Sequence, residues 1–232
     1  MRKKKNPIQY DIDEIYRGLR THIEFFQMDE EIKIVNVVST TTNEGKTTIS
    51  VNLARIMAAK YENVLLIDAD LRNPSTHRHL HINNEFGLSD LLEHYEEGKK
   101  IIEYKGVCEH TFSTGEKLTV ITAGHKVPNP SEVLGSRQLG SFLAQARREF
   151  DYIIIDCSPA AVTSDVIPLS NVSDGVLYVI DAKNSDKRKV KSAITDLQRN
   201  GVYVFGAVLN KVEELSNKHY GYGYPYINDS NS

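Results

Sequence analysis

Apolar residues recur along the chain in two rhythms. Within residues 9–27, Ile12, Ile15, Leu19, Ile23 and Phe26 return at steps of three and four. That spacing predicts a helix with one apolar stripe. Glu14, Arg17 and Arg20 lie off the stripe, free to meet something other than the domain's own core. Farther on, the rhythm changes to short continuous apolar runs at 32–38, 64–67, 118–122, 152–155, 176–180 and 202–209. These runs predict six strands. Helices are predicted after Thr47, with Ile49, Leu53, Ile56 and Met57 inside, and at about 136–150 and 186–200. Strands that are apolar throughout and alternate with helices predict an α/β fold, a mostly parallel central sheet with helices on both faces. Ligands of such sheets sit at the carboxyl ends of the strands. Lys46, Asp68, Asp70 and Asp156 all fall there.

Composition changes this picture little. The chain has 232 residues, enough for one such domain, expected to span 1–212. Residues 213–232 lose the apolar rhythm and are expected to form a flexible tail. That tail holds Tyr220, Tyr222, Tyr224 and Tyr226, spaced by glycine and proline, so it builds neither a helix nor a central strand. The net charge of −3 gives no general attraction to nucleic acid, and none is expected as a partner. The basic run Arg2-Lys3-Lys4-Lys5 reads either as a solvated arm or as a contact with an anionic membrane surface or acidic partner. Two distant cysteines, Cys108 and Cys157, suit a reducing cytosol and no disulfide scaffold or zinc site. No apolar run approaches the ~18–20 residues of a membrane span, and the start lacks a secretory apolar segment. A cytoplasmic protein is expected, brought to any membrane by something else.

The candidate chemistry lies in the loop after the first strand. Gly45-Lys46-Thr47 fits the second half of the P-loop pattern, with Thr40 at the first glycine position. Strand before and helix after make this an anion cradle of loop N–H groups and a helix start. Asn43, Glu44, Gly45, Lys46, Thr47 and Thr48 are the expected ATP-binding residues. Lys46 would reach the β- and γ-phosphates and the Thr47 hydroxyl would ligate Mg²⁺. Asp68, Asp70 and Asp156 read either as caps and loop residues or as carboxylates that orient an acceptor and hold the metal; Asp70 and Asp156 are the metal candidates, and Asp68 the acceptor candidate. Arg72 would contact phosphate or a neighbouring chain, or form a surface ion pair. Asn210 would read the adenine edge, or simply mark a turn. His77, His79 and His81 are interrupted by Arg78 and lack a carboxylate at ligand spacing. They read as solvated side chains of a short helix.

Four motifs in this order resemble the bacterial tyrosine kinases of polysaccharide export, the capsule-type kinases of Gram-positive bacteria within the P-loop NTPases. Asp68-Ala69-Asp70-Leu71-Arg72 is similar to their second Walker motif and Ile153-Ile154-Ile155-Asp156 to their Walker B. Glu14-x-x-Arg17-x-x-Arg20 resembles their oligomerisation motif, and the tail resembles their tyrosine cluster. Pro128-Asn129-Pro130-Ser131-Glu132-Val133-Leu134 is similar to a segment of the family before the next helix. The resemblance runs from about Glu14 to Tyr226. It implies transfer of the γ-phosphoryl of ATP, with Mg²⁺, to the tail tyrosines of a neighbouring copy in a ring-like homo-oligomer. It implies a membrane-bound activator as partner, which recruits the chain to the inner face of the membrane, and a protein-tyrosine phosphatase that reverses the modification. Capsule or exopolysaccharide synthesis is the implied setting. The chain departs from the family at Thr42-Asn43, where many members carry Pro-Gly; asparagine tolerates a positive φ better than most residues. Thr41 stands where partitioning and division-site ATPases carry a lysine, which argues against an ATPase switch. A nucleotide-binding scaffold is the other alternative. From Val212 to Tyr226 the chain can reach roughly 50 Å at ~3.4 Å per residue, enough to enter a neighbour's site.

Overall fold

A computed structural model describes residues 11–26, 32–161 and 165–212. The basic run at 2–5 and the tail tyrosines lie outside these residues. Seven strands form one sheet: β1 (Ile34–Ser39), β2 (Val64–Asp68), β3 (Val107–Thr111), β4 (Lys117–Ile121), β5 (Tyr152–Asp156), β6 (Gly175–Asp181) and β7 (Val204–Asn210). Their spatial order is β3-β4-β2-β5-β1-β6-β7. All neighbours are parallel except β3 and β4, which pair antiparallel. Six of the seven match the six predicted strands. β3 is the addition, a half-exposed strand on one edge of the sheet.

The central strands β1, β2, β5 and β6 are largely apolar and buried because both faces are covered. In β5, Ile153 and Ile155 enter one core cluster, while Tyr152 and Ile154 enter the other. The first cluster takes side chains from α4 (Leu88–Glu93), α6 (Arg137–Glu149), α7 (Val166–Ser170) and α8 (Lys187–Arg199). The second takes them from α1 (Ile12–Phe26) and α2 (Lys46–Ala58). Each fully buried aliphatic side chain contributes roughly 1.5–3 kcal/mol. Two short helices, α3 (Thr76–Leu80) and α5 (Pro130–Leu134), lie in the connections. β1 sits between β5 and β6, with β2 reached by crossing over β5. The strand order therefore reverses at β1, and a crevice opens at the carboxyl ends of β1, β2 and β5.

α1 packs on α2 with a face turned from the predicted stripe, sharing Leu19 and Ile23 with it and adding Tyr16. Tyr16 and Ile23 are buried and Leu19 partly so, but Ile12 and Ile15 are 63% and 59% exposed. Polar bonds on one flank turn the helix. Arg55 of α2 pairs with Asp13, and Arg20 Nη1 donates to the Ile56 carbonyl at 2.9 Å. Arg20 Nε also lies 3.5 Å from Glu24 Oε1. Arg20 is thus engaged inside its own domain, whereas Glu14 and Arg17 stay exposed and pair with each other at 3.2 Å. No helix among the described residues is long and apolar enough to cross a membrane.

Candidate active site

The phosphate loop is shaped by side chains that hold its backbone. Thr40 takes the first glycine position of the motif because its hydroxyl turns inward, 2.9 Å from the Tyr178 hydroxyl on β6. Ser39 Oγ donates to the Thr41 carbonyl at 2.8 Å, and the Thr41 N–H donates to Glu44 Oε2 at 2.9 Å. Asn43 adopts φ 62°, the left-handed region a glycine would take. Gly45 caps α2 with φ 100°. A Cβ there would lie 2.0 Å from Asn210 Nδ2, so both conformation and close approach demand glycine.

α2 begins at Lys46 and presents Lys46 and Thr47 to the crevice. Thr47 Oγ1 donates to Asp156 Oδ2 at 2.5 Å and lies 2.5 Å from Ser75 Oγ. Ser50 Oγ reaches the other Asp156 oxygen at 3.3 Å. Asp68 and Asp156 are register partners at the ends of β2 and β5, which places two buried carboxylates side by side. Asp68 Oδ2 accepts the N–H groups of Ser75 and Thr76, each at 3.0 Å, and Asp68 Oδ1 accepts that of Asp70 at 3.2 Å. Asp70 Oδ1 accepts from Ser158 Oγ at 2.9 Å and from the Asn73 N–H at 3.1 Å.

Burial is the main cause that raises the Asp68 carboxyl above the ordinary range, and the charge of Asp156 adds to it. The N–H groups of Thr76 and Ser75 offset part of the rise. Burial raises Asp156 as well, against the Thr47 hydroxyl and the Lys46 charge, which lower it. Three acidic side chains therefore crowd one spot with Lys46 as the nearby cation. Oxygen donors under such mutual repulsion fit a hard divalent cation. Among the described residues, no group of three His, Cys, Asp or Glu is arranged to hold a metal by itself. Mg²⁺ does not require one, because it keeps waters and takes one or two carboxylates plus phosphate oxygens.

A cavity of about 570 Å³ opens above this cluster. Of the predicted residues, Asn43, Gly45, Lys46, Thr47, Thr48 and Asp70 line it. Asp68 and Asp156 are fully buried and lie outside that lining. Glu44 turns into the protein and bonds Thr41 and Ser185. Asn210 Nδ2 is spent on the Glu44 carbonyl at 2.9 Å rather than held open for a base edge. Arg72 forms a two-point pair with buried Asp165, at 2.7 and 3.0 Å, and lies outside the cavity lining. Sequence reasoning had not placed Ser75, Arg78, His79, His81 or Lys211 at the cavity, yet all five line it. The α3 residues arrive because Asp68 pins the Ser75–Thr76 turn, a contact no local spacing reveals. His79 bonds the Ser75 carbonyl at 3.1 Å and sits 3.4 Å from Thr48 Oγ1.

A family model described as an AAA domain matches residues 32–200. The chain is 34% identical over 212 residues to Tyrosine-protein kinase YwqD of Bacillus subtilis (strain 168), covering 91% of this chain and 85% of that protein. It is 33% identical over 217 residues to Tyrosine-protein kinase etk of Escherichia coli (strain K12), covering 94% of this chain but 29% of that much longer protein. The solved kinase domain of the Escherichia coli tyrosine kinase ETK superposes with a TM-score of 0.78 at 32% identity, over 91% of this chain and 80% of that one.

Proposed function

The chain belongs to the bacterial tyrosine kinases of the P-loop NTPase class, and from that membership we propose that it transfers the γ-phosphoryl of ATP to tyrosine. The acceptors are first its own Tyr220, Tyr222, Tyr224 and Tyr226, presented in trans by a neighbouring copy. The observation that carries this reading is the convergence of Lys46, Thr47, Asp70 and Asp156 at the carboxyl ends of β1, β2 and β5, beneath an open cavity.

Lys46 would neutralise charge on the β- and γ-phosphate oxygens, and the loop N–H groups would fix the phosphate chain. Thr47 and Asp156, already hydrogen-bonded to each other, would hold Mg²⁺. Bound Mg²⁺ supplies charge neutralisation to the phosphates. The phenol oxygen attacks the γ-phosphorus, the bond to the β–γ bridging oxygen breaks, and that oxygen leaves with ADP. The phenol's proton passes to a carboxylate. Tyrosine's ordinary pKa of ~10 against ~4 for a carboxylate makes early proton removal steeply uphill, so the carboxylate orients the phenol and takes the proton late. Asp70 lines the cavity and Asp68 does not, which favours Asp70 as the group nearest the acceptor. Asp68 then acts from behind, through the turn it pins.

The same reading extends to partners. Glu14 and Arg17 on the exposed face of α1 would meet a second copy in a ring. A membrane-bound activator of polysaccharide export would recruit the chain to the inner face of the membrane, and a tyrosine phosphatase would reset it. The test is incubation of the purified chain with Mg²⁺ and γ-labelled ATP, with and without the activator's cytosolic segment, followed by phosphotyrosine mapping. Label on the four tail tyrosines that disappears in Lys46→Met is the expected result. Bound ATP without tyrosine label, activator present, would overturn the kinase reading in favour of an ATPase switch or a scaffold.

A further inference from the structure

Three non-glycine residues have left-handed backbone among the described residues, and two of them touch: Asn43 and Lys211, with φ 62° and 56°. Lys211 follows the last residue of β7, and its Nζ donates to the Asn43 carbonyl. The same Nζ donates at 2.8 Å to Asp181 Oδ2 at the end of β6. Asp181 is fixed before it meets the lysine. Its carboxylate accepts the N–H groups of Lys183 and Asn184 at 2.9 and 3.2 Å, and the Asn184 side chain at 3.0 Å. Lys211 first, and Asn184 after it, hold the Asp181 carboxyl well below the ordinary range, so the anchor stays ionised. The neighbouring residue works on the same loop, since Asn210 Nδ2 donates to the Glu44 carbonyl. The ends of β6 and β7 thus grip the phosphate loop from outside, at the two peptides where its conformation is least favoured by an ordinary side chain.

We propose that Lys211, anchored by Asp181, is a positioning residue that holds the Asn43 peptide in its left-handed form and so sets nucleotide affinity. This rests on reading the 40–47 loop as the nucleotide site. A loop that must be ordered on binding loses affinity in proportion to the time it spends in other conformations. Asparagine at position 43 leaves those conformations open, and the lysine closes them. Lys211 also lines the cavity. A simple positive charge at the cavity mouth is therefore the rival explanation, and the two make opposite predictions at Asp181.

The test titrates the full chain with Mg²⁺·ATP by isothermal calorimetry. Lys211→Met should weaken binding about tenfold, and Lys211→Arg should recover most of that loss. Asp181→Asn keeps the lysine's charge and removes a nearby negative one. A charge acting alone would then bind phosphate as well or better, whereas the clamp requires binding weakened by about threefold or more. In an Asn43→Gly background, where the left-handed form needs no support, Lys211→Met should cost less than about threefold. Thermal melting shows which variants are folded; if Lys211→Met is not, Asp181→Asn decides alone. Wild-type affinity in Lys211→Met, or unchanged or tighter binding in Asp181→Asn, overturns the proposal. Lys46→Met is the separate control: if it binds like the wild type, the reading of the loop itself fails, whatever the Lys211 variants do.

Discussion

Replacing Asp68 by asparagine should flatten the pH dependence of stability in metal-free, nucleotide-free buffer. Asp68 is completely buried, and burial together with the charge of Asp156 keeps its proton on above the usual carboxylate range. In the unfolded chain the same group releases its proton near the reference value of ~3.9. Between that value and the raised native one, the folded chain binds one more proton than the unfolded chain. Stability must then fall as pH rises, by about 1.4 kcal/mol for each pH unit. From about pH 5 to about pH 6.5 the wild type loses roughly 2 kcal/mol through this group, and the variant does not. The variant carries a different penalty, independent of pH. An amide offers one acceptor oxygen where the carboxyl group, even protonated, offers two. Its NH₂ must face either the Asp70 N–H or the Ser75 and Thr76 N–H groups, at a cost of about 1–2 kcal/mol. The variant should therefore be the less stable protein at the acid end and catch up as pH rises. Urea unfolding at several pH values, in chelator, measures both curves. A constant gap between them would refute the assignment of a retained proton to this cluster.

Three other outcomes follow from particular contacts. Ile23→Ala should destabilise by about 3 kcal/mol, and Ile12→Ala by less than about 0.5 kcal/mol, because Ile23 is 1% exposed and Ile12 63% exposed; equal losses in urea unfolding would mean α1 packs by the whole predicted stripe instead. Gly45→Ala should abolish Mg²⁺·ATP binding in calorimetry and cost about 2–4 kcal/mol, since the new methyl meets Asn210 and the backbone is left-handed; retained affinity would show that the loop yields. Arg72→Ala should cost about 1–2 kcal/mol, tempered by the Ser131 bond that Asp165 keeps, yet leave ATP affinity within about twofold. A large loss of affinity in that variant would return Arg72 to the phosphate site.

Much of the fold was legible because burial on both faces leaves a plain mark. β1, β2 and β5 are buried at every position and mostly apolar, the pattern of strands covered on both faces. β3 was not legible, because an edge strand needs no such run. Val107 and Cys108 are half-buried and Glu109 and Thr111 exposed, so the segment reads as connection; the Gly115 turn, with φ 102°, was its one local signal. At the site, Gly45-Lys46-Thr47 and the three aspartates were readable from position alone, at strand ends. Ser75, His79 and Lys211 were not, since their places depend on hydrogen bonds to Asp68, Thr48 and Asn43.

The sequence by itself therefore determined the α/β class, the edge of the sheet where the cavity opens, and most of the residues gathered there. Those properties follow from local rhythm and from the rule that parallel strands end where ligands bind. Only the tertiary structure decided how α1 is turned, which aspartate faces the cavity, and where Arg72, Asn210 and Lys211 are committed. Each of these rests on a polar bond between residues far apart in the chain. Asp13 meets Arg55 across 42 positions, Arg72 meets Asp165 across 93, and Asn43 meets Lys211 across 168. Apolar periodicity specifies which side of an element is buried to within a broad arc. A directional bond chooses within that arc, and its partner is known only once the chain has folded.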